Sequence, residues 1–267
     1  MRTVPALPDR LPDPSLPMFA PTLLTATARS PAGVATLAAL VLASVHLFGG
    51  RLRFLDVIPR SRLLSAAGGA SVAYVFVHAL PELESVGVTL DRRLAGLAFV
   101  EDHAYLVALA GFVVYYGLER IVRSRTPVGS TEPSSGVFWL HVGSFAVYDG
   151  LVGYLLFHRE TPGIGALGLF AVAMALHFLV NDYGLRHQHR ALYHRRGRWL
   201  LAGGVVAGGL LGAATDLDRA ALGVLFAFLA GGIVLNVVKE ELPPERESRF
   251  SAFAVGTAAY AALLLLV

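Results

Sequence analysis

Cysteine is absent from the 267 residues of this sequence. Its absence excludes a disulfide framework, a thiolate metal site and a cysteine nucleophile, whichever compartment the loops face. Any metal ligands must therefore be histidine and carboxylate side chains. A catalytic zinc hydrolase built on three histidines is also disfavoured, because no pair with the spacing H-x-x-x-H occurs. We therefore do not expect an enzyme, and we expect no bound cofactor.

Charged residues are scarce. They make up 15% of the chain, whereas 55% of the residues are hydrophobic, which is too apolar for an ordinary soluble domain and predicts an integral membrane protein in contact with a lipid bilayer. The net charge of +3 comes mostly from arginines between apolar runs. Membrane topology produces this distribution, so it does not indicate a nucleic-acid partner.

The apolar runs predict an all-α, polytopic fold with eight transmembrane helices. Residues 1–30 are rich in proline, and we expect them to form a flexible tail and not a cleaved signal peptide. Residues 31–267 form the membrane domain. The predicted spans lie at about residues 31–49, 63–81, 101–122, 136–157, 162–185, 199–215, 220–238 and 250–267.

The distribution of lysine and arginine predicts the orientation of these spans. Fifteen of the 22 lie in the first, third, fifth and seventh connections, and seven lie on the other side, the tail included. Positive residues are retained in the cytoplasm. We therefore expect a multi-pass protein of the plasma or inner membrane, with both termini on the outer side.

A repeat relates the second span to the seventh. AGG at 67–69 precedes LPE at 80–82, and AGG at 230–232 precedes LPPE at 242–245. The two spans cross in opposite directions, as in the inverted repeats of secondary transporters. Independent use of glycine for helix packing is the alternative explanation.

Polar side chains interrupt the fourth and fifth spans. His141, Phe145 and Asp149 follow each other at four-residue intervals and share one stripe of a helix. His177 and Asn181 have the same spacing, and Asp182 is adjacent.

A carboxylate without a partner near the bilayer centre costs from ~2.5 to more than 10 kcal/mol, so these groups are expected to face the bundle interior. Because a short turn joins the fourth and fifth spans, the two helices should be antiparallel neighbours. Asp149 and His177 would then lie near the same depth. Carboxylate, imidazole and amide groups converging there suit Zn²⁺, Fe²⁺ or Mn²⁺. The alternative is an Asp149–His177 hydrogen bond that only ties the bundle.

Four further residues are candidates for lining a path: His78, Glu82, Glu240 and Glu241. His46 has the same position near the end of a span. Interfacial polar residues are common at such ends, so an ordinary surface role is the alternative for each of them.

Several segments resemble the ZIP family of divalent-metal transporters. The stretch RLRFLDVIPRSRLLSAAGGASVAYVFVHALPE is similar to the family's first loop and second helix, YYGLERIV to the end of its third helix, and FAFLAGGIVLNVVKEELPPE to its seventh. The resemblance runs from about residue 36 to the C-terminus. It implies a metal site inside the bundle, between the fourth and fifth helices.

The family's ligand motifs are only partly present. Asp149, His177 and Asp182 match the family pattern by residue or by chemical type, and Asn181 is a weak substitute ligand. Phe145 and Phe178 stand where the family has ligands. The resemblance thus implies a divergent member with a depleted site, to which His141 could contribute.

The sequence therefore predicts membrane transport of a divalent, zinc-like cation through a His/Asp site that includes Asp149, His177, Asn181, Asp182 and His141. The metal ion is the substrate. The alternative is a ZIP-like protein that has lost transport and acts as a metal-binding, sensory or interaction module. The oligomeric state stays open, with a homodimer among the options.

Overall fold

The computed structural model describes residues 30–52, 61–81, 104–125, 135–158, 163–241 and 249–266. Within these ranges every regular element is a helix, which confirms the predicted all-α class. Except for Ser30, the tail predicted at residues 1–30 lies outside the described residues, as does Glu82.

The described residues form eight α-helices. They are α1 (Pro31–Phe48), α2 (Arg62–Tyr74), α3 (Ala104–Ser124), α4 (Ser135–Leu155), α5 (Ile164–Leu192), α6 (Arg198–Ala214), α7 (Arg219–Glu241) and α8 (Phe250–Leu264). A π-helical turn, Val75–Ala79, extends α2, and another, Tyr193–Gly197, joins α5 to α6. These eight helices therefore form seven continuous helical segments.

Four of these segments contain a stretch long and apolar enough to cross a membrane: Pro31–Arg51, Ala104–Ser124, Ile164–Ala214 and Ala221–Lys239. They indicate an integral, multi-pass membrane protein. Large apolar side chains on the outside of the bundle are consistent with contact to lipid, since Leu210 is 67% exposed and Val255 is 66% exposed.

Local sequence signals explain several helix ends. The side chain of Ser30 accepts a hydrogen bond from the Gly33 amide, and Pro31 occupies the first turn of α1. Ser61 caps α2 in the same way. The reversal between α5 and α6 occurs around Arg190, whose backbone has the non-helical φ of 33°.

Small residues bring three pairs of helices into backbone contact. A Cβ atom added at Gly204 would meet the Ala146 carbonyl, and one added at Gly208 would meet the Gly150 carbonyl. Residue numbers rise together in this seam, so α4 and α6 are parallel. The same close approach joins α2 to α8 and α3 to α7, as is usual for membrane helices with small residues at the contact.

The fifth helix is longer than the sequence predicted. It continues beyond residue 185 to the kink at Arg190, and Arg186 and His189 are buried along this extension instead of lying in a loop. α4 runs antiparallel to α5, but it packs much more extensively on α6. The contact between α4 and α5 depends on polar and aromatic side chains, which form the candidate site.

Candidate functional site

Asp149 and Asp182 share one histidine, His46. His46 Nε2 lies 3.4 Å from Asp149 Oδ2, and His46 Nδ1 lies 3.0 Å from Asp182 Oδ1 and 3.1 Å from Asp182 Oδ2. All three residues are at most 2% exposed. The imidazole of α1 therefore links a carboxylate of α4 to a carboxylate of α5 in the interior of the bundle.

The charge balance of this Asp149–His46–Asp182 triad depends on the proton of the histidine. Two ionised carboxylates around a neutral imidazole would bury two negative charges, whereas a protonated imidazole donates a hydrogen bond or ion-pair contact to each acid and leaves one. Uncompensated buried charge costs several kcal/mol per ion. The geometry thus favours a positive charge between the two carboxylates.

His46 is the functional residue that sequence analysis placed among ordinary helix ends. The spacing of residues along α1 indicates that His46 faces the interior. The buried residues of this helix are Ala35, Ala39, Leu42, Ala43 and His46. This is one helical stripe, so His46 belongs to the face that α1 turns toward α5 and α6.

A second cluster lies one helical turn from the triad. His177 Nε2 is 3.0 Å from the Tyr148 hydroxyl and 3.0 Å from Asn181 Nδ2. His177 is fully buried, and its Nδ1 has no hydrogen-bond partner in the described part of the chain. Because Tyr148 precedes Asp149 and Asn181 precedes Asp182, the two clusters form a continuous polar region between α4 and α5.

His141 belongs to a third cluster, centred on Glu119. His141 Nε2 lies 3.2 Å from Glu119 Oε2, and Lys239 Nζ lies 3.1 Å from the same oxygen. His141 Nδ1 is 2.9 Å from His189 Nε2. His141 therefore contacts a carboxylate of α3 and not Asp149. Glu119 lies within the YYGLERIV segment, but its distance along the sequence from His141 and Lys239 gave no sign of this pairing.

The two phenylalanines at expected ligand positions fill the space around these clusters. The Phe178 ring lies 4.4 Å from the His46 ring and is fully buried. The Phe145 ring lies between His141, at 5.4 Å, and Tyr148, at 6.3 Å. Phe178 thus holds the imidazole of the triad, and Phe145 separates the Glu119 cluster from the rest.

The five predicted ligands consequently fall into three clusters. Asp149 and Asp182 belong to the triad, His177 and Asn181 to the second cluster, and His141 to the third. Among the residues that the structure describes, no group of three or more His, Asp and Glu side chains is arranged to hold a metal ion. At the triad the imidazole stands between the two carboxylates, with one acid at each ring nitrogen, so the three side chains do not converge on one point.

The predicted path residues are more scattered. His78 lies in the π-helical turn after α2, half-buried, with its ring 5.2 Å from Tyr74. Glu240 and Glu241 are the last two residues of α7. The side chains of Glu240 and Glu241 lie outside the described part of the chain.

No family model matches this chain, and no curated protein matches it. The chemistry of the site must therefore be taken from its own residues. Its defining property is a pair of buried carboxylates on two antiparallel helices, with one imidazole between them.

Proposed function

We propose that this protein transports a divalent metal cation across the membrane, with Asp149 and Asp182 as its carboxylate ligands. The observation that carries the proposal is the presence of both acids, buried on separate helices and sharing His46. Acidic residues inside membrane bundles mark ion pathways, because their burial is too unfavourable to be retained without use. Zn²⁺, Fe²⁺ and Mn²⁺ all accept carboxylate and imidazole ligands.

The triad provides a way to exchange one cation for another. A protonated His46 supplies positive charge between the acids. An arriving divalent ion would take over that role, and the imidazole would then lose its proton and turn one nitrogen toward the ion. Metal binding generally releases protons from its ligands, so this exchange couples ion binding to proton release.

The second cluster offers the next ligands along the helices. His177 has an unpartnered ring nitrogen, and the Asn181 side chain carries an oxygen that can coordinate a hard or borderline ion. His141, in contrast, is engaged by Glu119. We therefore place His141 beside the path and not in the first coordination shell.

We propose that the helices make eight crossings, with both termini outside and an inverted repeat. The parallel pairs support alternating crossings, because α4 with α6, α3 with α7 and α2 with α8 each pair helices of the same direction. The AGG repeat aligns Gly69 of α2 with Gly232 of α7. Gly69 packs against α8, and Gly232 packs against Tyr115 of α3. The ZIP resemblance leads to the same arrangement.

The second candidate is a metal-binding or sensory protein of the same fold that does not transport. Phe145 and Phe178 favour it, because both rings occupy the space around the polar clusters. In this alternative the divalent ion binds at the triad, but no ion crosses the membrane.

Uptake by proteoliposomes tests the transport proposal. The purified protein should carry Zn²⁺, Fe²⁺ or Mn²⁺ into vesicles, and Asp149→Asn and Asp182→Asn should each reduce the initial rate at least tenfold. Asp216→Asn is the matched control, because the Asp216 side chain is fully exposed, and it should keep the rate. Metal binding without uptake in the wild type would instead establish the sensory alternative. Absence of both binding and uptake would exclude both functions.

A further inference from the structure

A pocket with a volume of about 290 Å³ opens beside the triad. Its walls are His46, Leu47, Gly50, Arg51, Tyr193, His194 and Arg198. It is formed by the end of α1 and by the turn between α5 and α6. Because a water molecule occupies roughly 30 Å³ of the liquid, the pocket has room for about ten of them, which is ample for a small ion and its hydration shell.

The walls of this pocket are basic. Arg51 and Arg198 line it with His194, and the seven lining residues include no carboxylate. A fourth basic side chain reaches the same place: a Cβ atom at Gly50 would lie 3.3 Å from Arg186 Nη1 and 3.3 Å from His194 Cε1. Like charges converge here, and several guanidinium groups around one cavity create a positive potential within it.

The two lining arginines have no carboxylate partner among the described residues. Within the described residues, neither Arg51 nor Arg198 forms an ion pair, and Arg198 Nε is buried without a hydrogen-bond acceptor. The Arg198 guanidinium lies over the Trp199 ring, with Cζ 5.5 Å from the centroid, and Arg51 lies over Phe48 at 4.9 Å. Aromatic stacking fixes the planes of both groups but leaves their hydrogen-bond donors unused. Because a buried donor without an acceptor is unfavourable, Arg198 Nε favours an acceptor inside the pocket, and the positive potential favours an anionic one.

We propose that this pocket binds a phosphate group, with Arg51 and Arg198 as its principal donors and Arg186 and His194 supporting them. Guanidinium groups bind phosphate oxygens through paired N–H donors, which a tetrahedral oxyanion accepts in several directions. The phosphate group can belong to inorganic phosphate or to the headgroup of an anionic phospholipid. Both sources present the same phosphate oxygens to the arginines, and the experiments below distinguish them.

An anion in this pocket would also affect the proposed transport, and this consequence rests on the proposed function. A divalent ion moving between the triad and the pocket has to pass the arginines, which repel it. A bound phosphate group offsets their charge next to His46 and lowers that electrostatic barrier. Phosphate binding is therefore expected to increase cation flux, although the binding itself does not depend on transport.

The simpler explanation is that these arginines only anchor the chain at the membrane surface, as positive residues near helix ends often do. The two explanations differ in their dependence on position. Anchoring needs positive charge anywhere at this membrane face, whereas a phosphate site needs it inside the pocket. Arg195 provides the comparison, since it lies in the same turn and is exposed but does not line the pocket.

Calorimetric titration with inorganic phosphate, on the full-length protein in an uncharged detergent, tests the site. We expect saturable binding by the wild type, at least tenfold weaker binding by Arg198→Gln and by Arg51→Gln, and unchanged binding by Arg195→Gln. Gly50→Ala keeps every charge but narrows the pocket, so it should also weaken binding. The heat-induced unfolding midpoint shows whether each variant is folded.

Nanodiscs distinguish the source of the phosphate group. Native mass spectrometry should show whether an anionic phospholipid is retained by the wild type and released by Arg198→Gln. Retention of this lipid without binding of inorganic phosphate would assign the pocket to a headgroup, and the reverse would assign it to the free ion. Binding of neither, or equal losses for Arg195→Gln and Arg198→Gln, would overturn the proposal. If the wild type binds phosphate but transports no metal, the proposed transport function is excluded and the phosphate site is retained.

Discussion

At the scale of single residues, His46 determines whether the site can exist. It is the only described side chain that contacts both buried aspartates, and it comes from a helix more than 100 residues away in sequence. The imidazole compensates two buried carboxylates that would otherwise repel each other. Stability and the proposed function therefore depend on the same ring.

Replacing His46 with Gln should destabilise the protein. The change leaves Asp149 and Asp182 without a positive partner, and breaking a buried ion pair typically costs about 3–5 kcal/mol. The midpoint of detergent-induced or thermal unfolding should fall accordingly. His158→Gln removes a histidine whose ion-pair partner, Asp216, is fully exposed, and it should lower the midpoint much less than His46→Gln.

The double replacement Asp149→Asn/Asp182→Asn in the His46→Gln background separates charge from packing. If charge causes the loss, removal of both carboxylates should restore most of the stability. An equally unstable triple variant would show that the shape of the imidazole, stacked on Phe178, is what matters.

At the scale of helices, the Glu119 cluster connects three elements at one point. Glu119 of α3 accepts hydrogen bonds or ion pairs from His141 of α4 and from Lys239 of α7, as well as from Arg123 one turn along α3. Of these elements, α4 also carries Asp149 of the triad. The cluster consequently fixes the position of α4 relative to α3 and α7.

Glu119→Gln is expected to loosen this connection. It leaves the Lys239 ammonium, which is almost buried, without its carboxylate, and the expected loss is about 3–5 kcal/mol of unfolding free energy. Lys239→Met combined with Glu119→Gln should recover part of it. Full additivity of the two single changes would contradict direct pairing.

The seam between α4 and α6 offers a sharp test of helix packing. A methyl group at Gly208 would overlap the Gly150 carbonyl, whereas nothing lies within 4 Å of one at Gly203. Gly208→Ala should therefore destabilise the protein by about 1–3 kcal/mol. Gly203→Ala, on the same helix, should be neutral or stabilising by up to about 1 kcal/mol, because alanine favours the helix. The difference between the two unfolding midpoints is the measurement.

Much of the fold at this scale was predictable from sequence, but the side-chain pairing was not. Apolar runs, and the short turn after α4, predicted helices and the antiparallel arrangement of α4 and α5. Asp149 and Asp182 were recognised because a charge in an apolar span needs an explanation. His46 and Glu119 were not assigned to the site. Their partners lie on helices distant in sequence, and no local pattern encodes which face meets which.

At the scale of the whole molecule, the absence of cysteine makes the proposed topology directly measurable. Single cysteines introduced at Asp216 and at Arg195 lie at opposite ends of α6. A membrane-impermeant maleimide added to intact cells should label the Asp216→Cys variant, and it should label Arg195→Cys only after permeabilisation. Labelling of both in intact cells, or the opposite pattern, would exclude the proposed orientation.

The distribution of the triad over three helices has a consequence for biosynthesis. α1 leaves the ribosome well before α4, so His46 is already in the membrane when Asp149 arrives, and Asp182 follows with α5. The helix that carries Asp149 is not among the four segments that are long and apolar enough to cross a membrane, so its insertion is favoured when His46 is already in the membrane. Cells that express a chain lacking α1 should therefore accumulate much less of the remaining protein, because quality-control proteases would encounter α4 and α5 before their charges are matched.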